Sequence, residues 1–274
     1  MTLTSPTILL RGCILCLAVL AGCASRPAAD TGRAPLRHQD PAMFSQPRHS
    51  VHRDGDDLLS AGLGLDGLRL PTPPAFADAA APTAAELRRR ALWSNWRGIA
   101  DLAPGGGYGT LYGGVPPVPG REFHALARVP GARQPHRVLV QVPDHFDTAR
   151  RCVVVTASSG SRGIYGAIAV AGAWGLPRGC AVAYTDKGAG TDYFDLDAGM
   201  GTASDGTVVD AGQAAAFNPP GSAGASNPAP AAGSEPVRHG VAFKHAHSGD
   251  NPEADWGVHV KQAAQFALAR LEEA

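Results

Sequence analysis

The sequence carries no surplus of either charge. Its 24 Lys and Arg side chains balance 24 Asp and Glu, for a formal net charge of zero, so nothing favours nucleic acid or an anionic surface as a partner. Charged residues of any sign are sparse, at 18%. No apolar run reaches the length needed to span a bilayer, which argues against a transmembrane helix. Cysteine is scarce too: there are five, and Cys13, Cys16 and Cys23 lie close to the N-terminus. The glycine-rich stretch Ala103 to Gly114, with Tyr108 and Tyr112, has neither the spacing nor the Lys of a phosphate loop. Nucleotide binding is therefore a poor reading, a plain structural loop the favoured one, and a substrate-rim loop its rival. No motif calls for a cofactor. What the chain has in plenty is Gly (34) and Pro (23). In 274 residues that balance predicts one sizeable domain, or two small ones, with long and weakly structured connections.

The N-terminus reads as a targeting signal. Arg11 is followed by the apolar run Gly12 to Leu20 and then by Leu20-Ala21-Gly22-Cys23. This resembles a bacterial lipoprotein signal, which predicts loss of residues 1–22 and lipid attachment at Cys23; an ordinary secretory signal is the alternative. The protein is then exported, and is either lipid-anchored in the periplasm or outer membrane, or secreted if Cys23 carries no lipid. Cys152 and Cys180 remain, each at the start of a strand-like run. Strands that are neighbours in register would place them roughly 5 Å apart, within disulfide range, in a compartment that permits the bond. Two buried free thiols are the other reading.

Residues 23–56 are polar and aperiodic, a flexible tether whose His38, His49 and His52 are too scattered to argue for a metal. Asp57 to Leu70 and the Pro-rich segment after it read as an irregular docking segment that opens the domain at residues 57–274. Thr83-Ala84-Ala85-Glu86 is a capping box, and a helix follows that buries Leu87, Ala91 and Trp96. On it, Arg88-Arg89-Arg90 reads as a solvated face. Glu122 to Val129 and His136 to Val142 pattern as strands. A low-complexity insertion occupies roughly 196–236. His239, His245, His247, Asp250, Asp255 and His259 crowd a short span, but their spacings fit no zinc motif, and no metal is assigned. Asn251-Pro252 caps a final helix with Trp256, Val260, Ala263, Ala267 and Leu271 on one face.

The chemistry centres on Arg151 to Thr191. Cys152 to Thr156 is a continuous β-branched run, expected of a parallel strand covered on both faces. Ser158 to Gly163 is a Ser/Gly turn, Ile164 to Trp174 an apolar helix, and Cys180 to Thr185 the next strand: a βαβ unit. A serine between strand and helix invites a nucleophile-elbow reading, with Ser159 or Ser161 as nucleophile, although neither makes G-x-S-x-G. The rival reading gives Ser159, Gly160 and Ser161 the task of donating N–H groups to an oxyanion.

The blocks LLSAGLGLDGLR, PTAAELRRRALWSNWRGIADLAPGGGYGTLYGG, HRVLVQVPDHFD, TASSGSRGIYGAIAVAGAWGLPRGCAVAYTDKGAG and FKHAHSGDNPEADWG resemble the N-terminal part of the D-(−)-3-hydroxybutyrate oligomer hydrolases. That resemblance implies a carboxylic-ester hydrolase of the serine type, acting on 3-hydroxybutyrate dimers and oligomers during polyhydroxybutyrate breakdown. It implies an α/β fold: the N-terminal portion of an α/β-hydrolase-like sheet with helices on both faces, incomplete, with Cys152 to Thr156 as an apolar edge. It also implies that the nucleophile lies C-terminal to these residues, so that no catalytic residue is matched and a complementing C-terminal polypeptide is an expected partner. Two alternatives stand beside it. One is a self-sufficient small esterase using Ser159 or Ser161; the other is a non-catalytic, lipid-anchored binding or scaffold protein.

Overall fold

In a computed structural model, residues 43–158, 162–186, 192–213, 217–219, 239–243 and 250–273 are described. The lipoprotein-type signal and Cys23 lie outside them, as do Ser159, Gly160, Ser161, His245 and His247. Five strands build the main sheet: β1 (Phe44–His52), β2 (Gly120–Ala127), β3 (His136–Pro143), β4 (Val153–Ala157) and β5 (Ala181–Thr185). Their order is β1-β2-β3-β5-β4, with β4 and β5 parallel and every other pair antiparallel. β4, the β-branched run, ends the sheet, and Val155 on it is 36% exposed.

Helices cover both faces. Before the first long one comes α1 (Gly64–Arg69), a short helix inside the Asp57–Leu70 segment, where Leu58, Leu59 and Leu68 are buried. The capping box opens α2 (Ala84–Ile99): Thr83 Oγ1 accepts from the Glu86 backbone N–H, and the Glu86 carboxylate accepts from that of Thr83. α2 sets Leu92 and Trp96 into a core with Leu139, Val182 and Tyr184 of the sheet. On the opposite face α4 (Trp256–Glu273) packs Ala263, Phe266 and Ala267 against Val138, Val140, Ala181 and Ala183. The connection from β4 to β5 is less regular than the expected helix. Ile168–Gly172 has π-helical geometry, α3 (Ala173–Gly175) is a single turn, and Leu176–Arg178 winds as a 3-10 helix. Within it Gly172 packs closely: a Cβ there would lie 2.6 Å from Ile168 Cδ1 and 2.8 Å from the Tyr184 hydroxyl. The segment is also not buried all round: Val170 and Trp174 are more than half exposed. Cys152 and Cys180, at the feet of β4 and β5, are disulfide-bonded with Cα atoms 4.7 Å apart, and so are not free thiols.

Other expectations need correction. Residues 44–52, read as part of a flexible tether, form β1, because their backbone pairs along the whole of β2. The polar composition that suggested a tether belongs to a strand with one solvent-facing side and one charged side. Part of the span assigned to the low-complexity insertion is a second antiparallel sheet, β8-β7-β6-β9, made of β6 (Tyr193–Asp195), β7 (Met200–Thr202), β8 (Val208–Asp210) and β9 (Val241–Phe243). Phe194, Ala211 and Phe217 form its small core. Asn251 caps a turn ahead of α4, and Trp256 is 43% exposed instead of packed. His259 and Gln262 take inward positions on that helix.

Candidate functional site

β1 and β2 alternate, so Arg48, Ser50 and His52 share a side with Glu122 and His124. The register sets Arg48 opposite His124 and Ser50 opposite Glu122, and in the next strand Gln141 stands opposite Glu122. A sheet face under a helix is ordinarily apolar; this patch is ionisable throughout. It floors a cleft of about 430 Å³, a size typical of small-ligand sites. One wall is α2, through Ala84, Ala85, Leu87 and Ala91; Arg162 to Tyr165 form another; Thr202 of β7, with Asp192, Ser204 and Asp205 beside the second sheet, closes the third.

Glu122 anchors the floor and is fully buried. Oε1 accepts from Arg88 (2.8 Å) and Gln141 (2.8 Å), while Oε2 accepts from Arg88 Nε (3.1 Å) and the Tyr165 hydroxyl (2.7 Å), with His124 Nε2 at 3.1 Å. Burial by itself would push this carboxyl up. The Arg88 guanidinium and the bonds from His124 and His52 outweigh it and hold the group well below the usual carboxylate range. Desolvation and the Glu122 charge drive the Tyr165 hydroxyl well above its ordinary value, so it stays a donor. Arg88 also reaches Asp56 at 3.0 Å and the Asp57 carbonyl at 2.9 Å. The triple-arginine run is therefore not a solvated face: Arg89 donates to the Ala61 carbonyl, and Arg90 donates to the Pro74 carbonyl while lying over the Phe76 ring.

Ser50, His52 and Asp56 form a line. Ser50 Oγ is 2.8 Å from His52 Nε2, and His52 Nδ1 is 2.7 Å from Asp56 Oδ2. The order and distances are those of a nucleophile relay, but the electrostatics oppose that use. His52 Nε2 also stands 3.5 Å from Glu122 Oε2. Burial lowers the imidazole pKa, yet the bonds to Asp56 and Glu122 more than offset it and leave the ring above its ordinary value. The Nε2 that faces Ser50 thus also faces the buried Glu122 carboxylate, so the two groups share one ring nitrogen.

Of the described residues of the Ser/Gly turn, those on its C-terminal side meet the cleft. Ser158, at the end of β4, donates its N–H to the Thr185 carbonyl at 2.9 Å, and Arg162 to Tyr165 line the cavity. Of the histidine-rich span, His239 pairs with Asp197 at 2.6 Å, Asp250 accepts from the Arg133 and Gln134 backbone, and His259 packs on His136 with ring centroids 4.3 Å apart. The structure does not bring these groups together. Among the described residues no set of three or more His, Cys, Asp or Glu is arranged to hold a metal ion, and no helix is long and apolar enough to cross a membrane. In the glycine-rich loop, the Tyr108 hydroxyl donates to the Ala169 carbonyl and its ring packs edge-on to Trp96, while Tyr112 is largely exposed.

Sequence reasoning missed Glu122, Arg88 and the β1 row. The available signal was Glu122 itself, a lone carboxylate in a strand whose neighbours Phe123 and Ala125 face the apolar side.

A model of the 3HB-oligomer hydrolase family matches residues 20–274. Proteins named D-(−)-3-hydroxybutyrate oligomer hydrolase are similar to the chain in several organisms. That of Paraburkholderia xenovorans is 46% identical over 80% of this chain and 32% of its own length; that of Burkholderia ambifaria is 43% identical over 97% and 39%. The Cupriavidus metallidurans protein is 47% identical over 83% and 33%. The chain thus spans 32% to 39% of the length of these relatives. No solved structure matches it.

Proposed function

Because the chain belongs to the 3HB-oligomer hydrolase family, we propose that it serves the hydrolysis of ester bonds in 3-hydroxybutyrate dimers and oligomers, in polyhydroxybutyrate breakdown. The observation that carries this reading is the 43% identity to a protein of that name across 97% of the chain. The cleft supports it physically, with an apolar wall of small α2 side chains for methyl branches and hydrogen-bond donors below for ester oxygens. The strand order β2-β3-β5-β4, with β4 and β5 parallel, supports an α/β-hydrolase-like sheet. In this reading the mechanism is of the serine type, and the turn Ser159-Gly160-Ser161 donates backbone N–H groups to the oxyanion. The nucleophile comes from outside the described residues, since in the one described Ser–His–Asp line the histidine Nε2 is shared with the buried Glu122 carboxylate. Export, with a lipid on Cys23, completes the proposal.

The test incubates the full chain with the 3-hydroxybutyrate dimer and measures both binding and released monomer. Binding without release fits a nucleophile supplied from outside these residues. Release that disappears in Ser159→Ala or Ser161→Ala assigns the nucleophile to the turn. Neither binding nor release refutes the reading.

A further inference from the structure

Among the described residues, Arg48 is the one guanidinium at the cleft whose partner is easily exchanged. Arg88 is locked to Glu122 and Asp56, Arg137 is held by Asp192 and the Ser204 carbonyl, and Arg162 donates to the Gly98 carbonyl. Among the described residues Arg48 has a single polar partner, Nη1 to Asp205 Oδ2 at 3.0 Å, with the two side chains 38% and 27% exposed. Its fork therefore keeps donors for a second, bidentate acceptor. Asp205 loses little if released. Its Oδ1 still accepts from the Thr207 N–H at 3.0 Å and the Thr207 hydroxyl at 2.6 Å.

The backbone is shaped to aim this arginine. Between Ser45 and Arg48 the β1–β2 register slips, with three steps on β1 against two on β2, and Gln46 takes a φ of +51°. A bulge of this kind re-aims the side chain that follows it, and its left-handed, non-glycine residue is strained. Two residues on, roughly 7 Å along the strand, Ser50 faces the same cleft. Its Oγ lies 2.8 Å from His52 Nε2, and a hydroxyl can donate as well as accept.

We propose that Arg48 and Ser50 form a subsite for the free carboxylate end of a short hydroxyacyl ester, with Asp205 as the internal anion which that carboxylate displaces. The ligand class rests on the hydrolase reading above; the carboxylate preference is the new element. It makes the cleft an end-reader, which selects oligomers by their terminal acid.

Calorimetric titration of the full chain with the 3-hydroxybutyrate dimer, as free acid and as methyl ester, tests it. The acid is expected to bind about tenfold tighter than the ester, the scale of one charge-assisted hydrogen bond. Arg48→Gln abolishes that difference and Asp205→Asn widens it, both with an unchanged melting midpoint because the pair is exposed. Equal affinity for acid and ester, or a difference that survives Arg48→Gln, overturns the subsite and leaves the hydrolase reading standing. If neither form binds, the hydrolase reading falls and the subsite with it.

Discussion

Glu122→Gln is the sharpest test of the charge cluster under the cleft. The side chain keeps its shape and loses its charge. In the native protein every contact to Glu122 is a donor or a cation: Arg88 and Gln141 at Oε1, and Arg88, Tyr165 and His124 at Oε2. A glutamine amide must point its NH₂ at one of these two sets, so donor meets donor in either orientation. Arg88, itself only 10% exposed, is left with Asp56 as its sole carboxylate partner. Removing one member of a buried ion pair costs about 3–5 kcal/mol, a large part of the roughly 5–15 kcal/mol that holds a domain together. At about 2–4 °C per kcal/mol for a chain of this size, the melting midpoint should fall by roughly 6–20 °C. Urea unfolding followed by circular dichroism measures it, with the midpoint lowered and the slope unchanged. A loss below about 1 kcal/mol, the scale of an exposed pair, would refute the assignment of Glu122 as the buried keystone of this face.

His52 makes stability depend on pH. Its folded pKa is raised above 6.5, so its contribution is full below 6.5 and is lost as pH rises through the folded value; Asp56 and Glu122, depressed from 3.8 and 4.5, lose theirs as pH falls through their folded values. The stability gap between the wild type and His52→Gln should therefore shrink as pH is raised past 6.5, and a gap that grows instead would reverse the sign of the argument. Cys152→Ser with Cys180→Ser opens a link across 28 residues and should cost roughly 3–4 kcal/mol in the chain-entropy account, read as a urea midpoint against the oxidised protein. Thr83→Ala removes the α2 N-cap at a cost of about 1 kcal/mol. In the same variant the Glu86 carboxyl, held at about 2 by the Ala77 and Thr83 backbone N–H groups and the Thr83 hydroxyl, should titrate higher by NMR.

Local chemistry was legible in the sequence; long-range pairing was not. The Thr83–Glu86 box fixed the start of α2 because its donors and acceptors sit three residues apart. The apolar run at 181–185 read as a strand because burial on both faces suppresses alternation, and the run at 153–157 read as one from its β-branched side chains although it lies half-buried at the sheet edge. β1 escaped detection because its order comes from β2, some 75 residues away, while its own side chains are polar. The cleft escaped for the same reason. Arg88 lies 34 residues from Glu122 and Arg48 lies 157 from Asp205, separations at which sequence pattern holds no signal. A charged residue looks alike in a run of arginines whether its partner is water or a buried carboxylate.

β1 gives the site a clock of its own. This strand lies at the rim of the sheet, pairs only with β2 among the described strands, and exposes most of its side chains. Detaching it would uncover little of either core, so it can open at a free energy well below that of global unfolding. Yet it carries Arg48, Ser50 and His52, and a protein with β1 peeled back keeps its cores and loses the β1 half of the cleft floor. Occupancy of the site and protection of the β1 amides against hydrogen exchange are then a single equilibrium. A ligand that binds here should slow exchange between Arg48 and His52 in proportion to its affinity, while α4, on the far face, exchanges as before.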